Sequence, residues 1–277
     1  MADHSNDPHA SSNQTEGNQS EELTDRMSDR VTAEAERETR PDDAAAPLAA
    51  ETPLEEEKVK DEIDIQIDLL KEDDWTVRRE AVITLGEMAD ERCVEPVIRA
   101  LRDGDWQVRE AAIEACGMIG SPCVETLVKL LRDWDLRRTV IAALGKIKDE
   151  RVLDPLIHQL RSDEFNEIAT EALAELGSPA VPKLIEALKD RDENIRKQAV
   201  IALGRIKDAE AVDALIEMLK DKDWFIRLTA AAALEKIGDE RGREAVKPLM
   251  QDPDLVVRMR VERILAAWKK KKATANA

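Results

Sequence analysis

A phrase is spelled twice in close succession: DDWTVRREAVITLG from Asp73 to Gly86, then GDWQVREAAIEACG from Gly104 to Gly117. Reduced to the template Asp-x-x-Val-Arg-x-x-Ala-x-x-x-Leu-Gly, it returns from Asp74, Asp105, Asp133, Asp192, Asp223 and Asp254, with a degraded copy from Ser162. Successive copies lie 31, 28, 29, 30, 31 and 31 residues apart. Self-similarity at a step of this size marks a stacked architecture, in which one supersecondary unit recurs and no unit closes its own core.

Each element of the phrase has a physical role. The Asp ahead of the helix accepts hydrogen bonds from its first free N–H groups and faces the positive end of the helix dipole. Positions four, eight, twelve and fifteen are apolar: Val77, Ala81, Leu85 and Met88 in the first copy, Ile226, Ala230, Leu234 and Ile237 in the sixth. That spacing makes one buried stripe on an α-helix. The small residue at position eight lets neighbouring helices approach. The Arg at position five is placed to pair with its own capping Asp or with the equivalent Asp of the next copy, forming a ladder. A second apolar pattern lies between these helices, as in Val124, Leu127, Val128 and Leu131, or Val181, Leu184, Ile185 and Leu188. Pro96, Pro155 and Pro248 are expected in the first turn of this second helix, where a missing N–H costs little. Counting a first helix at Lys60 to Glu72, the fold expected is all-α: an α-solenoid of about seven helical hairpins.

Composition divides the chain. Residues 1–58 hold few large apolar side chains and carry about 11 of the 18 net negative charges, too little apolar surface to offset ordering entropy. They read as a disordered acidic arm, in which Leu23, Met27 and Val31 fall four apart as in a short amphipathic helix. Residues 59–269 are the repeat array, and 270–277 a basic, disordered tail beginning within the run Lys269 to Lys272. A membrane span requires roughly 20 apolar residues; no such run occurs, and the N-terminus MADHSNDPHA is polar. Three cysteines suit a reducing compartment. The expected location is the cytoplasm, without membrane contact. A pI near 4.8 argues against a nucleic-acid partner, because phosphate contacts need a basic surface.

The phrase Asp-Trp-x-Val-Arg-x-x-Ala-x-x-x-Leu-Gly, followed by Val-x-Pro-Leu-Ile-x-x-Leu, resembles the HEAT-like repeats named after phycobilin lyases, across nearly all of residues 60–268. The resemblance implies an armadillo/HEAT-like superhelix whose Val-Arg helix lines the concave side, so that template positions two or three, six, ten and fourteen face the groove. Position two is Trp75, Trp106, Trp134 and Trp224 in four copies, the last beside Phe225 and Leu228. With neighbouring helices about 10 Å apart, the first three would form a row along the groove. Trp is enriched at binding hot spots; the alternative is an aromatic that covers the preceding turn and packs on the adjacent repeat. Trp268, at position fifteen, reads as core.

The fourth copy places Glu164, Glu167, Glu171 and Glu175 at the groove positions, with Ser162 as cap and Asn166 in place of the Arg. Basic residues flank it: Arg138 and Lys146 before, Lys197 and Arg205 after, with Arg79 at the same level in the first copy. This is either a lattice of surface ion pairs or an acidic saddle for a basic segment.

Little points to chemistry. The histidines are His4, His9 and His158, and no His-Glu pair occurs. Deoxyhypusine hydroxylase, which resembles this stack, holds its iron with such pairs, so that activity is not expected. Cys93, Cys116 and Cys123 read as small core residues. No CxxC, phosphate-binding loop or G-x-S-x-G appears. A HEAT-like DNA glycosylase would need a basic groove. The expected function is therefore a non-enzymatic, monomeric scaffold, without cofactor or metal, that binds a protein or peptide, one with a basic segment if the saddle serves as its seat. The alternative is a lyase-like or oxidoreductase-associated subunit that handles a tetrapyrrole or acts in protein modification.

Overall fold

The structure, a computed structural model, describes residues 60–275, with side chains through Trp268. The acidic arm, with Leu23, Met27 and Val31, lies outside the described residues. Among those described there are fourteen α-helices and no strand, arranged as seven helical hairpins in an α-solenoid. One row holds the template helices: α2 (Trp75–Met88), α4 (Trp106–Ile119), α6 (Trp134–Lys146), α8 (Asn166–Leu176), α10 (Glu193–Ile206), α12 (Trp224–Ile237) and α14 (Leu255–Ala275). The other row is shorter: α1 (Glu62–Leu69), α3 (Val94–Ala100), α5 (Val124–Leu130), α7 (Leu153–Gln159), α9 (Val181–Ala187), α11 (Val212–Met218) and α13 (Glu240–Val246). Each long helix packs along the next, whereas the short helices touch one another little. Helix α14 runs on to Ala275, past the array boundary expected at residue 269.

The capping Asp does what the sequence suggests at most starts. Asp74 accepts from Thr76 N–H, Asp192 from Asn194, and Asp223 from both Phe225 and Ile226. The fourth copy differs. Ser162 lends only its carbonyl oxygen, to the N–H groups of Phe165 and Asn166, and the helix starts later, at Asn166. Pro248 also differs from expectation: α13 begins behind the cap Asp239, and Pro248 falls in the 3-10 segment Lys247–Gln251 that follows it. Helices α3, α5, α7, α9 and α11 are each preceded by a 3-10 turn, so the last hairpin reverses the order.

The buried face is wider than the expected stripe. Positions nine and eleven are also buried, as Val82, Ile113, Ile141 and Val200, and as Ala115, Ala143, Ala172 and Ala202. The reason is that a long helix is flanked by a neighbour on each side as well as by the short row. The closest approach is made by the template Gly. A Cβ built on Gly86, Gly145 or Gly204 would lie 2.7, 2.7 or 2.9 Å from the Cβ of Ala115, Ala172 or Ala233 in the next helix. Cys93, Cys116, Cys123 and Trp268 are core residues.

The ladder exists with a different partner. Arg78, Arg196 and Arg227 reach Asp103, Asp221 and Asp252, each two residues before the next capping Asp, at 2.8, 3.0 and 2.7 Å. The same guanidinium donates to carbonyls behind its own helix start; for Arg196 these belong to Asp190 and Arg191. Its fork is thereby fixed to point across the turn rather than at the cap. Arg109 and Arg137 have no such Asp opposite; at those junctions Arg102 holds Asp133 at 2.7 Å, and Arg137 lies 5.2 Å from the ring centres of both Trp134 and Phe165.

Candidate functional site

Two adjoining clefts open on the face of the long helices. The first, of about 470 Å³, lies between α2 and α4 and is lined by Arg79, Ile83, Trp106, Gln107, Glu110, Ala111, Glu114 and Met118. These fall mainly at template positions two, six, ten and fourteen. Trp106 is 64% exposed, the most open tryptophan, and Met118 is also exposed. Each is held by a rigid helix yet left without a covering neighbour. The result is an apolar hollow whose rim carries carboxylates.

The second cleft, of about 510 Å³, crosses α4, α6, α8 and α10 and is lined by Glu110, Ile113, Ala142, Lys146, Ile168, Glu171, Glu175 and Arg205, among others. Glu110 belongs to both clefts, so they form one continuous surface. Lys146 sits between two carboxylates, 2.9 Å from Glu114 Oε1 and 2.6 Å from Glu175 Oε1. The hydrogen bonds to Glu175 and then to Glu114 hold its ammonium above the usual lysine range, so it stays charged. Glu110 and Glu171 take part in no ion pair among the described residues. They are acceptors on the open surface, and Arg205 is the cation facing them across the cleft.

The other expected groove residues are dispersed. Trp134, although exposed, stacks edge-on against the buried Phe165, with ring centres 5.0 Å apart and an interplanar angle of 74°. Trp75 is less open than Trp106 and lines neither cleft. Trp224 meets Phe225 edge-on at 5.8 Å, while Lys197 lies 5.4 Å from the Phe225 ring and pairs with Glu193 at 2.9 Å. Leu228 is half-buried. Glu164 precedes the start of α8, and Glu167 is exposed outside both clefts. Arg138 lines a separate hollow at the helix starts, with Arg102, Asp103 and Asp133. Glu110, Glu114, Ile83 and Met118 were not singled out from sequence. Their signal was the template register itself, since they occupy positions six, ten and fourteen of the first two copies.

The model for HEAT repeats matches residues 63–133, 121–177 and 181–266, more than half of the chain, and that for a PBS lyase HEAT-like repeat matches 167–190. No curated protein sequence matches the chain. Among solved structures it is similar to human deoxyhypusine hydroxylase, at 22% identity over 75% of this chain and 84% of that one, with a TM-score of 0.38. It is similar to the CpcE–CpcF complex of phycocyanin lyase from Nostoc sp. PCC7120, at 21% identity over 80% and 100%, with a TM-score of 0.36. An archaeal HEAT-like repeats protein from Thermococcus onnurineus NA1 is 13% identical over 76% and 98%, with a TM-score of 0.39. Among the described residues no single helix is long and apolar enough to cross a membrane.

Proposed function

We propose a binding function for this chain, which belongs to the HEAT-repeat family: the face of its long helices holds an extended segment of a partner protein. The long row is taken as the concave one, because Gly–Ala contacts draw its helices together while the short helices touch little. A stack narrower on one side curves towards that side. The observation that carries the reading is the pair of adjoining clefts that share Glu110, one apolar and one acidic.

Such a surface selects a chemistry. The hollow at Trp106 and Met118 takes one large apolar side chain, and an exposed Trp offers much contact area at small entropy cost. The carboxylates of Glu110 and Glu171 receive a Lys or Arg, in the way that Lys146 already lies between Glu114 and Glu175. Neighbouring helices are about 10 Å apart and an extended chain rises about 3.3 Å per residue. The apolar anchor and the cation are therefore about three to five residues apart in the partner. Nucleic acid is disfavoured by the same carboxylates. The chain is read as a binding scaffold of the cytoplasm.

A display selection of random peptides on the immobilised full-length chain tests this. Selected peptides should combine a large apolar residue with Lys or Arg. Trp106→Ala and Glu171→Arg should each weaken the best of them at least tenfold, and Trp75→Ala should leave affinity unchanged. Selection without that enrichment, or binding indifferent to both cleft variants, overturns the reading.

A further inference from the structure

Along the stack, the unpaired charge of the groove changes sign. At template positions two, six, ten and fourteen, which supply most of the cleft lining, helices α2 to α8 carry Glu87, Glu110, Glu167 and Glu171. These four make no ion pair among the described residues. The cations at the same positions are engaged or turned elsewhere: Arg79 holds Glu80 at 2.7 Å, Lys146 lies between Glu114 and Glu175, and Arg138 lines the hollow at the helix starts. Helices α10 to α14 are the opposite. Arg205, Lys236 and Arg263 are exposed and make no ion pair among the described residues. The one carboxylate at a groove position there, Glu193, is held by Lys197 at 2.9 Å. In a chain of net charge −18, free cations gathered on one face run against the composition. Apolar side chains lie among them. Trp224 is 41% exposed and set edge-on against Phe225, Leu228 is half-buried, and Leu255 and Met259 are exposed at positions two and six of α14. Helices α10, α12 and α14 pack on one another in turn, so these residues adjoin.

We propose that the groove holds two seats of opposite charge, and that its occupant is a single protein segment with a basic part at one end and an acidic part at the other. The proposal rests on the reading of this face as a peptide surface and adds the second seat. The basic part lies over α4 to α8, against Glu110 and Glu171. The acidic part lies over α10 to α14, against Arg205, Lys236 and Arg263, with a large apolar side chain against Trp224, Leu228 and Met259. Charge complementarity is the argument. Screening acts over about 8 Å at physiological salt, close to the spacing of neighbouring helices, so each seat is felt locally and the two do not cancel. Trp106 and Trp224 stand four long helices apart, about 40 Å. An extended chain covers that distance in about 12 residues, which sets the separation of the two apolar anchors. The arrangement also selects against alternatives. A segment laid the other way sets like charges together at both seats, and a uniformly basic one meets Arg205 and Lys236 at its far end.

Fluorescence anisotropy of labelled synthetic peptides on the full-length chain tests the proposal. The short peptide carries a Trp and a pair of Arg about three to five residues on, in a Ser/Gly background. The extended peptide continues to a Leu about 12 residues from the Trp, flanked by Asp and Glu. Both are made in the two chain directions, and the tighter of each is compared. The extended peptide should bind at least tenfold more tightly, and more salt should shrink that gain. Exchanging its Arg pair with its acidic residues, anchors kept, should abolish the gain. So should the variant Lys236→Glu/Arg263→Glu, which should leave the short peptide's affinity unchanged. Both exchanges are at exposed positions, circular dichroism shows that the fold is kept, and Met259→Ser provides a second variant of the same seat. A short peptide that binds, with an extended one no tighter or a gain that survives all these changes, overturns the second seat and leaves the first standing. Binding of neither peptide overturns both.

Discussion

At Gly145 there is no room for a methyl group, because its Cβ would stand 2.7 Å from that of Ala172. At Gly104, in the turn before α4, nothing lies within 4 Å. The same substitution should therefore have opposite outcomes. Ala gains up to about 1 kcal/mol over Gly in a helix, but forcing two packed helices apart costs about 1–3 kcal/mol. Gly145→Ala should lose about 1 kcal/mol net in urea denaturation, and Gly104→Ala should be neutral or slightly stabilising. From sequence, the residue read as the spacer was the Ala at position eight. The closer contact belongs to the Gly five positions later, on the helix flank. A one-stripe view of the helix hides that flank, since each long helix has neighbours on both sides.

Among the elements, the turns carry the strongest ion pairs. Asp252 is 4% exposed and is gripped by Arg227 through two hydrogen bonds of 2.7 Å. Removing one partner of so buried a pair typically costs about 3–5 kcal/mol, which is the loss expected for Asp252→Ala. The Arg227 and Arg78 guanidinium groups hold the carboxyls of Asp252 and Asp103 below the usual carboxylate range. A depressed carboxyl contributes stability that is present above its unfolded value, about 3.9, and is lost as pH falls through the folded value. The melting temperature should thus be flat from pH 7 to about pH 5 and fall below about pH 4. In an Asp103→Asn/Asp252→Asn variant the fall should be shallower. Helix starts were legible because Asp caps act within three residues. The ladder partner was written too, as Asp103-Gly-Asp105, Asp221-Lys-Asp223 and Asp252-Pro-Asp254. The helix template begins at the second Asp, so the first went unread. The dispersal of the four glutamates was not legible, because α8 starts late, at Asn166, and leaves Glu164 ahead of the helix.

Across the whole molecule, stability is passed from repeat to repeat, since each long helix packs mainly on the ones before and after it. An array of this kind behaves as a row of coupled units, and its cooperativity depends on the weakest junction. The junction into α8 has no Arg–Asp rung. It relies on Phe165, which is buried under Trp134 and Arg137, on Gly145 against Ala172, and on Lys146 with Glu175. Phe165→Ala removes the aromatic centre of that junction at about 3–5 kcal/mol. The loss falls where the two halves of the array are joined, so the variant should unfold in two steps by urea, with amide exchange through α8 rising ahead of both flanks. Leu85→Ala removes a comparable core residue near one end and should instead fray α1 and α2 while the remainder melts as one. A single transition shared by all amides in Phe165→Ala would show that coupling extends past nearest neighbours, and the one-dimensional account of this stack would then fail.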